Sequence, residues 1–202
     1  AELARIAALL RARGVPLIAD EIYHGLIYGA DTCTALACDA DAVVVNSFSK
    51  YFGMTGWRLG WLVVPDGLLR SVEKLAQNLF IAPPTPAQYA ALAAFEPATL
   101  ALLDARRDEF RARRDRLLPA LRELGFDIPV TPQGAFYIYA GCERFAADSF
   151  DFSLRLLDEA GIAATPGLDF GRHTARSHLR FAYTTSAERI ADAIARLQRL
   201  LA

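Results

Sequence analysis

Apolar residues in this sequence fall into short unbroken blocks and into longer stretches with helical spacing, and the two kinds alternate along the first half of the chain. Val15 to Ala19 and Ala42 to Val45 are unbroken blocks, and each stops abruptly at polar residues, Asp20 in the first case and Asn46, Ser47, Ser49 and Lys50 in the second. Such blocks suit strands buried on both faces, the pattern of parallel sheets. Leu59 to Val64 makes another before Pro65. Elsewhere the spacing is helical. Leu3, Ile6, Ala7 and Leu10 share one face of a helix over Ala1 to Arg13 that Gly14 is placed to end, and Leu68, Leu69, Val72, Leu75, Ala76 and Leu79 form a stripe over Leu68 to Leu79. Pro83 and Pro84 break that helix. Thr85 is then the expected cap of a new one, with Pro86 in its first turn and its end near Phe95.

Ala98 to Leu124 reads as one long helix bent at Pro119. From Phe126 onward the elements shorten. Ala135 to Ala140, Ile162 to Thr165 and His178 to Tyr183 read as strands, and Phe152 to Ala160 as a helix. A final helix opens on a capping box of Thr185 and Glu188 and lines one face with Ile190, Ile194, Leu197 and Leu201. This last part has the pattern of a small α+β domain.

Composition narrows the functional classes. With 202 residues, 53% of them hydrophobic, the chain can bury a substantial core. No apolar run approaches the ~18 residues of a spanning helix, and no basic stretch precedes a short apolar one at the start, so neither a membrane partner nor an export signal is expected and the expected location is cytoplasmic. The formal net charge of −1 and the pI near 6.4 give no electrostatic reason to expect nucleic acid. Arg106, Arg107, Arg111, Arg113, Arg114 and Arg116 are interleaved with Asp104, Asp108, Glu109 and Asp115 at ion-pair spacing, which describes a solvated helix face. Cys33, Cys38 and Cys142 contain no CxxC pair, and His24, His173 and His178 no ligand pair, so no metal is expected.

Candidate chemistry gathers where the apolar blocks stop, because ligands bind at the carboxyl ends of strands in an open parallel sheet. Lys50 by itself leaves three alternatives: an ammonium in solvent, an ion pair with a carboxylate, or an amine desolvated into a nucleophile. It has company. Arg58 follows eight residues later, in a run with Gly53, Gly56 and Gly60. Strand ends and a glycine-rich turn could therefore bring Asp20, Tyr23, Ser47, Ser49, Lys50 and Arg58 together. An acid, a phenol, an amine, hydroxyls and a guanidinium match the needs of pyridoxal 5'-phosphate: a lysine for its aldehyde, an acid for its pyridine nitrogen, a donor for its ring oxygen, and a guanidinium with hydroxyls for its phosphate.

The segments IADEIYHGLIYG and NSFSKYFGMTGWRLGW resemble the cofactor-binding core of the class I/II aminotransferases, the fold-type I pyridoxal phosphate enzymes. That family pairs an Asp-x-x-Tyr element with a Ser-x-x-Lys element followed by an arginine, matched here by Asp20 with Tyr23 and by Ser47 with Lys50 and Arg58. The resemblance implies an α/β fold, with the remaining part of a large cofactor-binding domain over 1–97, a linking helix over 98–124 and a small α+β domain over 125–202, in a chain truncated at its start. It implies transfer of an amino group from an α-amino acid to a 2-oxo acid in amino acid metabolism, in a homodimer. Lys50 would form the Schiff base and act as base, Asp20 would keep the pyridine nitrogen protonated, and Tyr23 would donate to the ring oxygen. Ser47, Ser49 and Arg58 would hold the phosphate. Arg180, in HLRFAYTT, matches the arginine that grips the substrate's α-carboxylate, with Arg172 and Arg176 as competitors. Alternation with Leu179 and Phe181 predicts that Arg180 points to the face opposite theirs. Two other readings fit the same motifs: another pyridoxal phosphate reaction such as a β-lyase or decarboxylase, and a non-catalytic ligand-sensing domain of a transcription regulator.

Overall fold

In the computed structural model, which describes residues 2–201, the chain divides into two units, Ala1–Arg107 and Asp108–Ala202, and the boundary falls inside one helix. The two end positions of the expected elements, Ala1 and Ala202, lie outside the described residues.

The first unit opens with α1 (Glu2–Ala12), which stops where expected because Gly14 adopts φ 64°, a left-handed conformation that helps end a helix. Next come β1 (Ile18–Asp20), β2 (Val43–Ser47) and β3 (Gly60–Val63), arranged in the order β1-β2-β3. β1 runs parallel to β2 while β3 runs antiparallel to it, so the sheet is mixed. The central strand behaves as its apolar block predicts, with Ala42 and Val44 buried against Leu3, Leu17, Ala19 and Leu36.

The first block does not. Val15 to Leu17 precede the strand, and Ile18 is 67% exposed, since an apolar run is buried only where both faces of its strand are covered. Helix α2 (Asp66–Leu79) carries its predicted stripe, yet none of its residues is buried. Helix α3 (Thr85–Ala93) also departs from expectation: Pro84 occupies the cap position with no side-chain cap bond, and Thr85 is already helical. Phe95 falls beyond that helix and packs edge-on against Phe48 at 5.8 Å. Phe48 and Met54 are buried with Ala91 and Ala94, and Phe52, Leu59 and Trp61 pack around them.

Helix α4 (Pro97–Leu124) is continuous for 28 residues with Pro119 inside it. Its charges pair as their spacing predicts, Arg107 with Asp104 at 2.9 Å and Arg113 with Glu109 at 2.8 Å.

The second unit places α4's Leu117, Leu118 and Leu121 in a core with Ile138, Leu156, Leu179 and Tyr183. Each fully buried leucine there contributes about 1.5–3 kcal/mol relative to exposure. Phe126 anchors this core, its ring centroid 4.7 Å from that of Phe145 and 5.3 Å from that of Phe181. Three antiparallel strands, β4 (Tyr137–Gly141), β5 (Thr165–Pro166) and β6 (His178–Ala182), lie in the order β4-β6-β5. β4 starts later than the apolar pattern predicts because Ala135 takes φ 57°, which is incompatible with a strand.

Helix α5 (Ser149–Ala160) starts earlier than expected, since Asp148 caps it by accepting the Phe150 N–H at 2.8 Å. Helix α6 (Ala187–Leu201) is capped by Ser186, whose Oγ accepts the Arg189 N–H at 3.4 Å, one residue later than the Thr185 capping box would have it. No helix among the described residues is long and apolar enough to cross a membrane.

Candidate active site

The parallel register pairs Ile18 with Val43, Ala19 with Val44 and Asp20 with Val45, so Asp20 and the Asn46–Ser47 segment leave the sheet at the same end. Asp20 shapes its own exit. Its Oδ1 accepts the Ile22 N–H at 3.1 Å, the local bond by which Asp favours turns, and its carboxylate stays exposed. The next residue, Glu21, is only 6% exposed. Its Oε1 accepts from Thr34 Oγ1 at 2.9 Å and from the Ala35 N–H at 2.7 Å, and its Oε2 lies 3.3 Å from His24 Nδ1. Glu21 thereby ties the loop bearing Asp20 and Tyr23 to the 3-10 turn Ala35–Ala37. Sequence reasoning missed it; the available signal was a second acid directly after an apolar block, where burial demands polar partners.

The loop after β2 is pinned by Phe48 and Met54 in the core, and between them Lys50 is half-buried. Lys50 Nζ stands 5.8 Å from the centroid of the Tyr23 ring, within the range where an ammonium is attracted to an aromatic face. Two of the expected residues, from separate strand ends, therefore meet.

Ser47, Ser49 and Arg58 belong to one closed loop. Ser47 Oγ lies 2.9 Å from Ser49 Oγ and 3.2 Å from the Leu59 carbonyl, and it accepts the Ser49 N–H at 3.0 Å. A hydroxyl has one proton, so when Ser47 donates to Ser49 the Ser49 proton is left for an incoming acceptor. Thr55 Oγ1 donates to the Ser49 carbonyl, and Arg58 Nη1 donates to the Thr55 carbonyl at 3.0 Å. Arg58 holds φ 54°, a left-handed conformation costing a non-glycine residue about 1 kcal/mol.

Arg180 belongs to the second unit. Leu179 and Phe181 are buried on one face of β6, and Arg180 points to the other, as the alternation predicts. There its guanidinium carbon lies 4.5 Å from the Tyr137 ring centroid and 4.3 Å from that of Phe170, so two aromatic faces fix its plane. Its Nε is buried with no hydrogen-bond partner among the described residues. A buried donor of this kind is costly unless an acceptor arrives. Arg176 is exposed and committed to Asp148 at 2.9 Å, and Arg172 is exposed in the preceding loop. Neither Tyr137 nor Phe170 was singled out from the sequence, because flanking a cation is a tertiary property.

These placements can be set beside known proteins. The profile of the family described as aminotransferase class I and II matches residues 1–197. The chain belongs to this family. The valine–pyruvate aminotransferase of Mycobacterium tuberculosis is 44% identical to this aminotransferase chain over 198 residues, covering 97% of the chain and 51% of that protein. The aspartate/prephenate aminotransferase of Thermus thermophilus is 36% identical, covering 92% of the chain and 48% of that protein. A crystal structure of an aminotransferase from Mycobacterium tuberculosis superposes with a TM-score of 0.95 at 43% identity, covering 99% of the chain and 52% of that structure. The chain thus spans about half the length of the curated relatives it matches.

Class I and II aminotransferases use pyridoxal phosphate, and the donor set in the first unit fits that group. Asp20 retains acceptor capacity, Ser49 retains a donor, and Arg58 uses Nη1 on Thr55, leaving Nη2 and Nε for an anion.

Proposed function

We propose that the intact protein is a pyridoxal phosphate-dependent aminotransferase that moves the amino group of an α-amino acid to a 2-oxo acid, with Lys50 as its anchoring and proton-moving amine. The supporting observation is the meeting of Lys50 Nζ with Tyr23, on the loop that begins at Asp20. Similarity to aminotransferases over essentially the whole chain supports the same reaction class.

When bound, pyridoxal phosphate supplies an electrophilic carbon for an amine and a ring that accepts electrons from the substrate α-carbon. Asp20 would sit against the ring nitrogen and keep its proton in place, since an ionised acid stabilises a neighbouring cation. Tyr23 would donate its phenolic proton to the ring oxygen. Ser49 and Arg58 would bind the phosphate directly and Ser47 through the hydrogen bond that turns the Ser49 proton outward, with Arg58 able to offer two parallel N–H donors. Lys50 Nζ, as a free amine, would accept the proton from the substrate α-carbon and hold it as an ammonium, the general-base role. Arg180, its plane held by Tyr137 and Phe170, would bind the substrate's α-carboxylate through donors that include the orphaned Nε. The intact protein would work as a homodimer in the cytoplasm, a reading supported by likeness to the family.

The test is product analysis on the intact protein with valine and pyruvate, a pair chosen from the relative's name, and with 2-oxoglutarate as alternative acceptor. Alanine or glutamate should accumulate with wild type and not with Lys50→Ala. Full transfer by Lys50→Ala would reject the proposed role of the lysine, and elimination or decarboxylation products from wild type would reject transamination.

A further inference from the structure

Lys50 and Tyr51 are consecutive, and each meets the loop that follows β1. Lys50 Nζ stands 5.8 Å from the Tyr23 ring centroid. The Tyr51 ring packs so closely over Gly25 that a Cβ on that residue would come within 2.3 Å of Tyr51 Cγ. Contact of that kind admits only glycine, and it sets how far apart the two loops can sit.

The far end of the same side chain is also fixed. Tyr51 donates its phenolic proton to Asp104 Oδ1 at 2.7 Å, and Arg107 Nη1 holds the same oxygen at 2.9 Å. Burial and this bond push the Tyr51 phenol up to about 12, so the donor keeps its proton at any ordinary working pH. α4 meets the loop a second time at Gly53, where a Cβ would lie 3.7 Å from Arg106 Nη1.

We propose that Tyr51 is a positioning residue for Lys50: its ring sets the spacing between the lysine loop and the Asp20–Gly25 loop, and its hydroxyl, held by Asp104, fixes the lysine loop against α4. This rests on the reading of Lys50 as the cofactor-anchoring amine. Tyr51 needs no contact with substrate or cofactor. It acts through the backbone of its neighbour, and the quantity it controls is where Nζ can reach. A misplacement of about 1 Å at a reacting atom costs roughly 100-fold in rate, so losing one of two fixed ends is expected to cost about 10-fold.

The test follows the rate at which Lys50 of the intact apoprotein captures free pyridoxal phosphate, read from the visible band of the bound cofactor, with thermal unfolding measured on the same samples. Tyr51→Phe keeps the ring on Gly25 and removes only the hydroxyl bond. It should slow capture about 10-fold while the apoprotein remains folded at the assay temperature. Asp104→Ala should slow it by a similar factor, Asp104→Asn, which keeps an acceptor, should restore most of the rate, and the double variant Tyr51→Phe/Asp104→Ala should be no slower than the slower single variant. Unchanged capture by Tyr51→Phe, or single effects that multiply in the double variant, would overturn the proposal and leave the lysine's role standing. Failure of wild type to capture pyridoxal phosphate at Lys50 would remove both.

Discussion

Replacing Glu21 with alanine should destabilise the intact protein by about 3 kcal/mol, a large effect for a residue that need touch neither substrate nor cofactor. The carboxylate is 6% exposed and accepts two hydrogen bonds, from Thr34 Oγ1 at 2.9 Å and from the Ala35 N–H at 2.7 Å. A bond to a charged acceptor contributes about 1.5–3 kcal/mol, and truncation would leave the fully buried Ala35 donor without a partner. Against a gross loss of roughly 3–6 kcal/mol from two such bonds stands the released cost of burying a carboxylate, which brings the net to the lower end. Glu21→Gln keeps an oxygen for both donors and should cost only about 1 kcal/mol. Urea unfolding of the intact apoprotein, with the midpoint shifted and the slope unchanged, measures both. Because the same bonds hold the loop carrying Asp20 and Tyr23, pyridoxal phosphate affinity should fall with Glu21→Ala as well, by roughly 10-fold, about the weight of one ordinary hydrogen bond. Equal losses in the glutamine and alanine variants, or an alanine cost under about 1 kcal/mol, would refute the reasoning.

Arg58→Gly should separate two properties. Relief of the left-handed backbone, about 1 kcal/mol, is offset by glycine's extra entropy, leaving apoprotein stability within ~1 kcal/mol of wild type. Pyridoxal phosphate affinity, measured by equilibrium titration, should meanwhile weaken by roughly 10- to 100-fold through loss of charged bonds to the phosphate. Arg180→Lys retains charge but loses the planar fork, so KM for amino acid and oxo acid should both rise about 100-fold in steady-state assays, whereas an unchanged KM would place the carboxylate elsewhere. For Tyr51, the folded phenol titrates near 12 against 10.0 for the free group, so between those values the folded state holds a proton that the unfolded state has lost. Stability should therefore be intact below about pH 10 and fall as pH rises toward 12, and Tyr51→Phe should flatten that fall in alkaline unfolding curves.

Much of the arrangement of the candidate site was legible because it depends on local rules. Asp20 and Lys50 stand out as polar stops after apolar blocks, and the register of β1 on β2 brings the two strand ends to one side. The face on which Arg180 lies was readable from its alternation with Leu179 and Phe181. What escaped depends on partners distant in sequence. Glu21 is defined by Thr34 and Ala35, Tyr51 by Gly25 and Asp104, and Phe170 by Arg180.

Burial was misjudged for a related reason. The blocks and stripes of β1 and α2 identify surfaces able to be covered, but Ile18, Leu75 and Leu79 are exposed in this chain. Caps were displaced by single residues: Ser186 competes with Thr185 through its own hydroxyl, and Pro84 holds the position before Thr85 with no side-chain cap bond. Ile81, a β-branched residue at φ 67°, carries no sequence signal for that conformation.

The central claim is that the amine of Lys50 is the one that reacts with pyridoxal phosphate. Borohydride reduction of the intact protein after incubation with the cofactor, followed by proteolysis and mass spectrometry, tests this directly. The expected product is one pyridoxyl group per chain, on the peptide containing Lys50, with the other lysines, Lys74 among them, unmodified. An adduct confined to any other lysine, Lys74 included, or none at all in a folded protein saturated with cofactor, would contradict it.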